Sequence, residues 1–415
     1  MLGRIFCAAA VYRSLACLAC LVAMPSIQAD EGRVEQTLVL GEQPLDAQLV
    51  EPDAVVIEAD EGVVMEPLVE EPFVTEGVAG AGCTSPGGGV ACVDDDLAWL
   101  PYTTIDALFI QRVNTVGPLA VVSPGADDAG ATVIAAGDVR YPTSPGIRVF
   151  QGWRRSDSTG IELGYLGVWG MHADALAVSP TDDLAVPGEL GAIGGSGLES
   201  ASAIQPTLAA TLNSVEVNVF GTRVHSGCRR HDPLPWRRAG FTTTADWLLG
   251  IRWAGLDESA TLDVTALVND SPPAFNTTAY RVTTSSQLVG PQVGHRRRLE
   301  RGPWAFEGWA KVGLMASQSS QSQSAVVGPF DSVVIREPRS STRLGIGMIG
   351  DLNAVVVRRV GDHWGVRAGY SLIWLEGVAP AANQWDFTDT PSSGTRLVPG
   401  SVFLHGATFG LEATW

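Results

Sequence analysis

Residues 364–374 read WGVRAGYSLIW. Taken in steps of two, Trp364, Val366, Ala368, Tyr370, Leu372 and Trp374 share one side, and Gly365, Arg367, Gly369 and Ser371 share the other. Successive side chains of a strand point to opposite faces, so this alternation describes a strand with one apolar and one polar face. Two environments reward such a face: the core of a soluble sandwich, or the lipid around a closed barrel. The run is longer than the usual strand of ~5–6 residues. A tryptophan closes it at each end, and indole prefers the headgroup depth, where its ring is apolar and its N–H stays wet.

The pattern recurs outward from this stretch. SVEVNVFGTRVH (214–225) sets Val215, Val217 and Val219 against Glu216, Asn218 and Thr222. WAFEGWAKVGL (304–314) sets Trp304, Phe306, Ala310, Val312 and Leu314 against Glu307, Lys311 and Gly313. LHGATFGLEATW (404–415) gives Phe409, Leu411, Ala413 and Trp415 on one side, with Gly406, Thr408, Gly410 and Glu412 on the other. Trp304, Trp364, Trp374 and Trp415 stand at the ends of apolar faces and are expected at the membrane interface. Glycines and single charges fill the opposite faces, so Arg148, Glu216 and Arg367 are expected to line a lumen, where charges set ion preference. In hydrocarbon every backbone N–H and C=O must be paired, so such a sheet has to close. The expectation is an all-β, closed, antiparallel transmembrane barrel over residues 97–415, of about twelve strands within a range of roughly ten to fourteen. In this reading 131–140, 241–254 and 257–268 are separate strands, 154–160 and 359–364 are turns, and 172–206 and 317–340 are outward loops.

The rest of the chain fits export. Residues 1–29 combine Arg4 and Arg13, an apolar run from about Leu15 to Met24 and a small-residue end at Ala29, the form of a secretory signal peptide. The apolar run falls short of the roughly 20 residues a spanning helix needs. Residues 30–96 are crowded with Asp and Glu and hold a single basic residue, Arg33. They are read as a disordered, acidic periplasmic arm, either a solvated spacer or a segment for a periplasmic or cell-wall partner. The chain carries a net charge of −18, which argues against nucleic acid as a partner. Cys83 and Cys92 flank a glycine-rich loop; a disulfide or two free thiols are both consistent with it.

Motifs for chemistry are sparse. GIGMIG (345–350) matches a dinucleotide fingerprint only in letters, since β-branched AVVVRR follows where a helix is required. The histidines, His172, His225, His231, His295, His363 and His405, lie near expected turns or strand ends and form no metal-binding spacing. No catalytic, cofactor or metal site is expected. Arginine pairs recur at strand ends (Arg154–Arg155, Arg229–Arg230, Arg237–Arg238, Arg296–Arg298, Arg358–Arg359), suited either to lipid or lipopolysaccharide phosphates or to ordinary loop charge.

GIRVFQGWRRSDSTGIELGYLGVW, NSVEVNVF, WLLGIRWAGLDE, SQLVGPQVGHRR, WAFEGWAKVGLMAS, GVRAGYSLIWLEGVAPAANQWDF and FLHGATFGLEATW, in this order over roughly residues 100–415, resemble the seventh beta-barrel porin family of planctomycete-type bacteria. The resemblance implies an outer-membrane barrel with a porin-like role, and a C-terminal aromatic recognised by the barrel assembly machinery. It supplies no site residues and does not extend to the acidic arm. Three functions follow as expectations: passive diffusion of small polar solutes, a closed-lumen barrel that anchors envelope layers through its arm, and, more distantly, an outer-membrane hydrolase. A closed barrel resists detergent until heated, so unboiled protein from envelope fractions should migrate differently from boiled protein on a denaturing gel; identical mobility would leave the sandwich.

Overall fold

The computed structural model describes residues 99–125, 132–155, 158–194, 196–227, 241–270, 273–328, 334–388 and 397–415. The signal peptide, the acidic arm, Cys83, Cys92 and His231 lie outside these residues. Ten long strands dominate: β1 (Trp99–Val113), β2 (Thr143–Arg155), β3 (Thr159–Asp174), β4 (Ala203–Gly227), β5 (Phe241–Asp270), β6 (Pro273–Arg301), β7 (Trp304–Gln323), β8 (Arg339–Arg359), β9 (Trp364–Val378) and β10 (Gly400–Thr414). Each pairs antiparallel with its neighbours in the order β3-β2-β1-β10-β9-β8-β7-β6-β5-β4, and a further pairing of β3 with β4 closes the ring. The first and last strands meet along Tyr102↔Thr414 through Val113↔Phe403. No edge is left over, which is the condition lipid imposes.

The ring holds ten strands, at the low end of the expected range, for two reasons. Residues 131–140 supply only the two-residue strand Ile134–Ala135 and a 3-10 turn, Ala136–Asp138. Residues 241–270 form one strand where two were expected. The cause of the second difference is visible in β5 itself. From Trp247 to Trp253 the outward positions are Trp247, Leu249, Ile251 and Trp253, all exposed, while Asp246 and Arg252 are buried. Beyond Gly255 the polarity reverses: Asp257 is exposed and Ser259 and Asp263 half-exposed, while Leu256, Ala260, Leu262 and Val264 are buried. The strand continues straight through; its apolar side changes from out to in. In sequence that phase slip looks like a turn.

The two ends of the ring differ. One carries the start of β1, the end of β10 and the tight connections 155–159, 301–304 and 359–364. The other carries most of the long connections, 113–143, 174–203, 323–339 and 378–400; these are called here the terminal end and the loop end. The apolar outer band belongs to the terminal half. On β9 it runs from Trp364 to Trp374, both exposed, about 33 Å along the strand and about 25 Å in height at the usual tilt, the height of a membrane band.

Residues 172–206, expected as an outward loop, instead end β3, turn inward and begin β4. Leu184, Val186, Leu190 and Leu198 are buried against inward-facing strand residues such as Leu166, Leu212 and Leu262. The Val378–Phe387 segment does the same. It leaves β9 through a bulge at Gly377, whose φ of 76° is in the left-handed region and where a Cβ would come within 2.5 Å of the Ile346 carbonyl oxygen.

If the outer band faces lipid, Ile251→Arg should destabilise the folded barrel by about 2–4 kcal/mol. The same change at Ser259, on the same strand above the band, should stay within about 0.5 kcal/mol. Urea titration of the detergent-folded variants distinguishes the two.

Candidate functional site: the filled lumen

The inward faces of the ten strands divide into two layers. In the terminal half they carry charge. Asp351 on β8 faces Arg148 on β2 at 3.2 Å and Arg252 on β5 at 3.3 Å. Arg148 also donates to Ser371 Oγ at 3.0 Å. Arg367 on β9 is held by Asp106 (3.2 Å), Glu412 (3.2 Å) and Glu307 (3.3 Å). Arg298 on β6 bonds Glu412 (2.6 Å) and Glu307 (3.1 Å). Arg296, also on β6, bonds Glu162 (2.5 Å) and Asp246 (2.8 Å). Lys311, the single lysine of the chain, pairs with Glu216 and lies 4.4 Å from the centre of the Phe150 ring. Gln292 donates to Glu216 and Asn218, each at 2.6 Å. Among the described residues no buried charge in this layer stands alone, as burial requires.

These pairs reach across the ring. β1 and β6 are diametrically opposite in the strand order, yet Arg296 Nη2 donates to the Tyr102 hydroxyl at 3.2 Å, and that hydroxyl donates to Glu162 at 2.6 Å. Arg112 on β1 reaches Glu258 on β5 at 2.8 Å. An eight-stranded barrel has an interior that side chains just fill; here ten strands are filled because the inward side chains are mostly long. Arg148 and Arg367 are only 1% and 2% exposed. At the terminal end the web opens into a vestibule of about 370 Å³, bounded by Tyr102, Arg154, Arg298, Glu307 and Trp415.

The loop-end layer is apolar and is sealed by chain. Leu108, Leu166, Leu256, Leu288, Ile349 and Ile373 point inward and pack with Val121, Leu190, Val378, Trp385 and Phe387 from the inturned segments. Polar contacts pin those segments. Glu258 accepts from the Ala381 N–H at 2.8 Å, Ser286 accepts from the Ala379 N–H at 3.0 Å, and Arg336 donates to the Asp386 carbonyl at 2.6 Å. Burial pushes the Tyr141 hydroxyl up to about 12, against the opposing pull of Arg112, whose guanidinium lies 4.7 Å from the ring centre.

The structure therefore places Arg148, Glu216 and Arg367 inside the ring, Trp304, Trp364 and Trp374 exposed on its outside, and Trp415 exposed just past the end of β10, at the rim of the vestibule. Asp106, Glu162, Asp246, Arg252, Arg296, Arg298, Asp351 and Glu412 complete the web. Strand parity marks several of them: Glu412 shares its face with Thr408, and Asp351 is two positions from Asn353. The Arg296–Arg298 run is no uniform surface patch, since Arg296 and Arg298 enter the web and Arg297 faces out. His295 and His405 lie within strands, on the outer face, against Trp247 and Tyr370. GIGMIG lies wholly in β8. Among the described residues no cluster of His, Cys, Asp and Glu could hold a metal ion.

A family model described as "Putative beta barrel porin-7 (BBP7)" matches residues 126–415. No curated protein matches the chain. Among solved structures it is similar to the outer membrane protease OmpT from Escherichia coli, at 9% identity and a TM-score of 0.38, over 77% of this chain and 99% of that one. It is also similar to a Pseudomonas aeruginosa FadL homologue, at 10% identity and a TM-score of 0.18, over 76% and 89%. The ring of paired strands stands independently of these similarities.

Asp351→Asn would leave Arg148 without its carboxylate partner and Arg252 with only Glu216, at 4.0 Å. Breaking a buried pair in this way should cost about 3–5 kcal/mol. The denaturation midpoint of the folded barrel in detergent checks it.

Proposed function

The chain belongs to the beta barrel porin-7 family of outer-membrane barrels, and from that premise we propose that its barrel is held shut, serving as an envelope scaffold and not as a standing diffusion pore. The observation that carries this reading is the contact between opposite walls, Arg296 on β6 with Tyr102 on β1 at 3.2 Å. An aqueous channel leaves its lining residues accessible to water; here the lining charges are buried, and the inturned segments cover the layer above them. The acidic arm precedes β1 in the chain, so a partner in the periplasm or cell wall that binds the arm is tied to the membrane. The C-terminal strand, ending in the exposed Trp415, supplies the segment read by the assembly machinery. No catalytic step, cofactor or nucleic acid belongs to this reading.

The family description supports a second reading, passive diffusion of small polar solutes. It requires the Val378–Phe387 segment to leave the loop end and the charged web to part. Conductance across planar bilayers separates the two. A scaffold gives a silent baseline at moderate voltage after insertion has been verified by heat-dependent gel mobility. Steady open-channel steps would overturn the scaffold in favour of the pore.

A further inference from the structure

Inside the barrel every arginine described above has a carboxylate or carbonyl partner. Outside, at the terminal end, the situation is different. Arg297 and Arg301 face outward on β6, and Arg358 faces outward on β8; all three are exposed. Among the described residues none of the three forms an ion pair. The lack is selective: Arg296 and Arg298, which flank Arg297 in sequence, hold two or more carboxylates each.

The three are arranged around one tryptophan. Arg301 is the register partner of Trp304 on one side, and Arg358 is its partner on the other. Adjacent strands are about 4.8 Å apart, so the two arginines are about 10 Å apart across the indole, and Arg297 is about 13 Å further up β6. The Arg358 guanidinium lies 5.3 Å from the Trp304 ring centre, which holds it at the indole level. Inward from Trp304 the outer face of β7 and β8 is apolar and shallow: Phe306 pairs with Val356, then Gly308 with Ala354, while Arg297 flanks Gly308 on β6.

We propose that this cluster is a binding surface for the phosphate headgroup of an anionic glycerophospholipid of the periplasmic leaflet. A guanidinium presents a planar fork of donors that fits phosphate oxygens, and with no carboxylate beside it that fork is free to engage one. Arg301 and Arg358 lie at the depth of headgroups, marked by the indole; Arg297, level with Gly308, reaches toward it along its flexible stem. The groove over Gly308 and Ala354 takes an acyl chain running inward from a phosphate bound at Arg301 or Arg358, and Arg297 flanks that groove. The terminal end carries the tight turns, as the periplasmic end of such barrels does, so the leaflet in question is the phospholipid one. The inference rests on the barrel's spanning the membrane and is indifferent to whether its lumen conducts.

Each arginine at an anionic surface is worth about a fivefold factor in binding. The full-length protein in detergent, equilibrated with equal amounts of phosphatidylglycerol and phosphatidylethanolamine, should retain phosphatidylglycerol with at least about tenfold preference in native mass spectrometry. The variant R297Q/R301Q/R358Q should bring the two lipids near parity while keeping its heat-dependent gel shift. Should the triple variant fail to fold, R297Q and R358Q singly should each lower the preference several-fold, and R358K should retain most of it. Equal retention of both lipids by the unaltered protein, or an undiminished preference in folded glutamine variants, overturns the proposal.

Discussion

Asp351, gripped from two walls by Arg148 and Arg252, expresses the constraint on which the rest of the molecule depends. A ring whose outer face is apolar insulates its own interior. A charge left unpaired there would keep most of its desolvation cost with nothing to offset it. The solution in this chain is a web in which carboxylates are shared: Glu412 serves Arg298 and Arg367, and Glu307 serves the same two. Sharing ties β6, β9, β10 and β7 together through side chains as well as through backbone ladders. The interior is thus a cross-brace between opposite walls of the ring.

The second layer follows from where the membrane band stops. Above it, the outer face of β5 meets water and turns polar, and the inner face is released from its polar role. Leu256, Leu262 and Val264 then need an apolar partner, which the inturned segments provide through Leu190, Trp385 and Phe387. The long loop-end connections are therefore part of the core. Gly377 is what lets one of them enter, since its backbone conformation and the nearby Ile346 carbonyl leave no room for a side chain.

How much of this was legible in the sequence depends on which contrast a strand displays. Where lipid lies outside and charge inside, as in β7 and β9, period-two alternation identifies the face of every residue from Trp304 to Leu314 and from Trp364 to Trp374. Where the contrast inverts within one strand, the same rule reports a break, and β5 reads as two pieces. Residues 172–206 read as loop because Gly, Ser and Pro are abundant there; the spaced leucines that carry them inward have no period to reveal them. The web was partly visible in Arg148, Glu216 and Arg367, but the pairing of Arg148 with Asp351, 203 residues apart, depends on the ring and on nothing local.

The ladder between β1 and β10 has a consequence in time. β1 is the first of these strands to be synthesised and β10 the last, and each is the other's neighbour. Until residues 400–414 emerge, β1 and β9 both offer raw hydrogen-bonding margins that any stray strand can capture. Closure of the ring thus has to wait for β10. A chain halted before β10 would be left with an open seam, however sound its other nine strands.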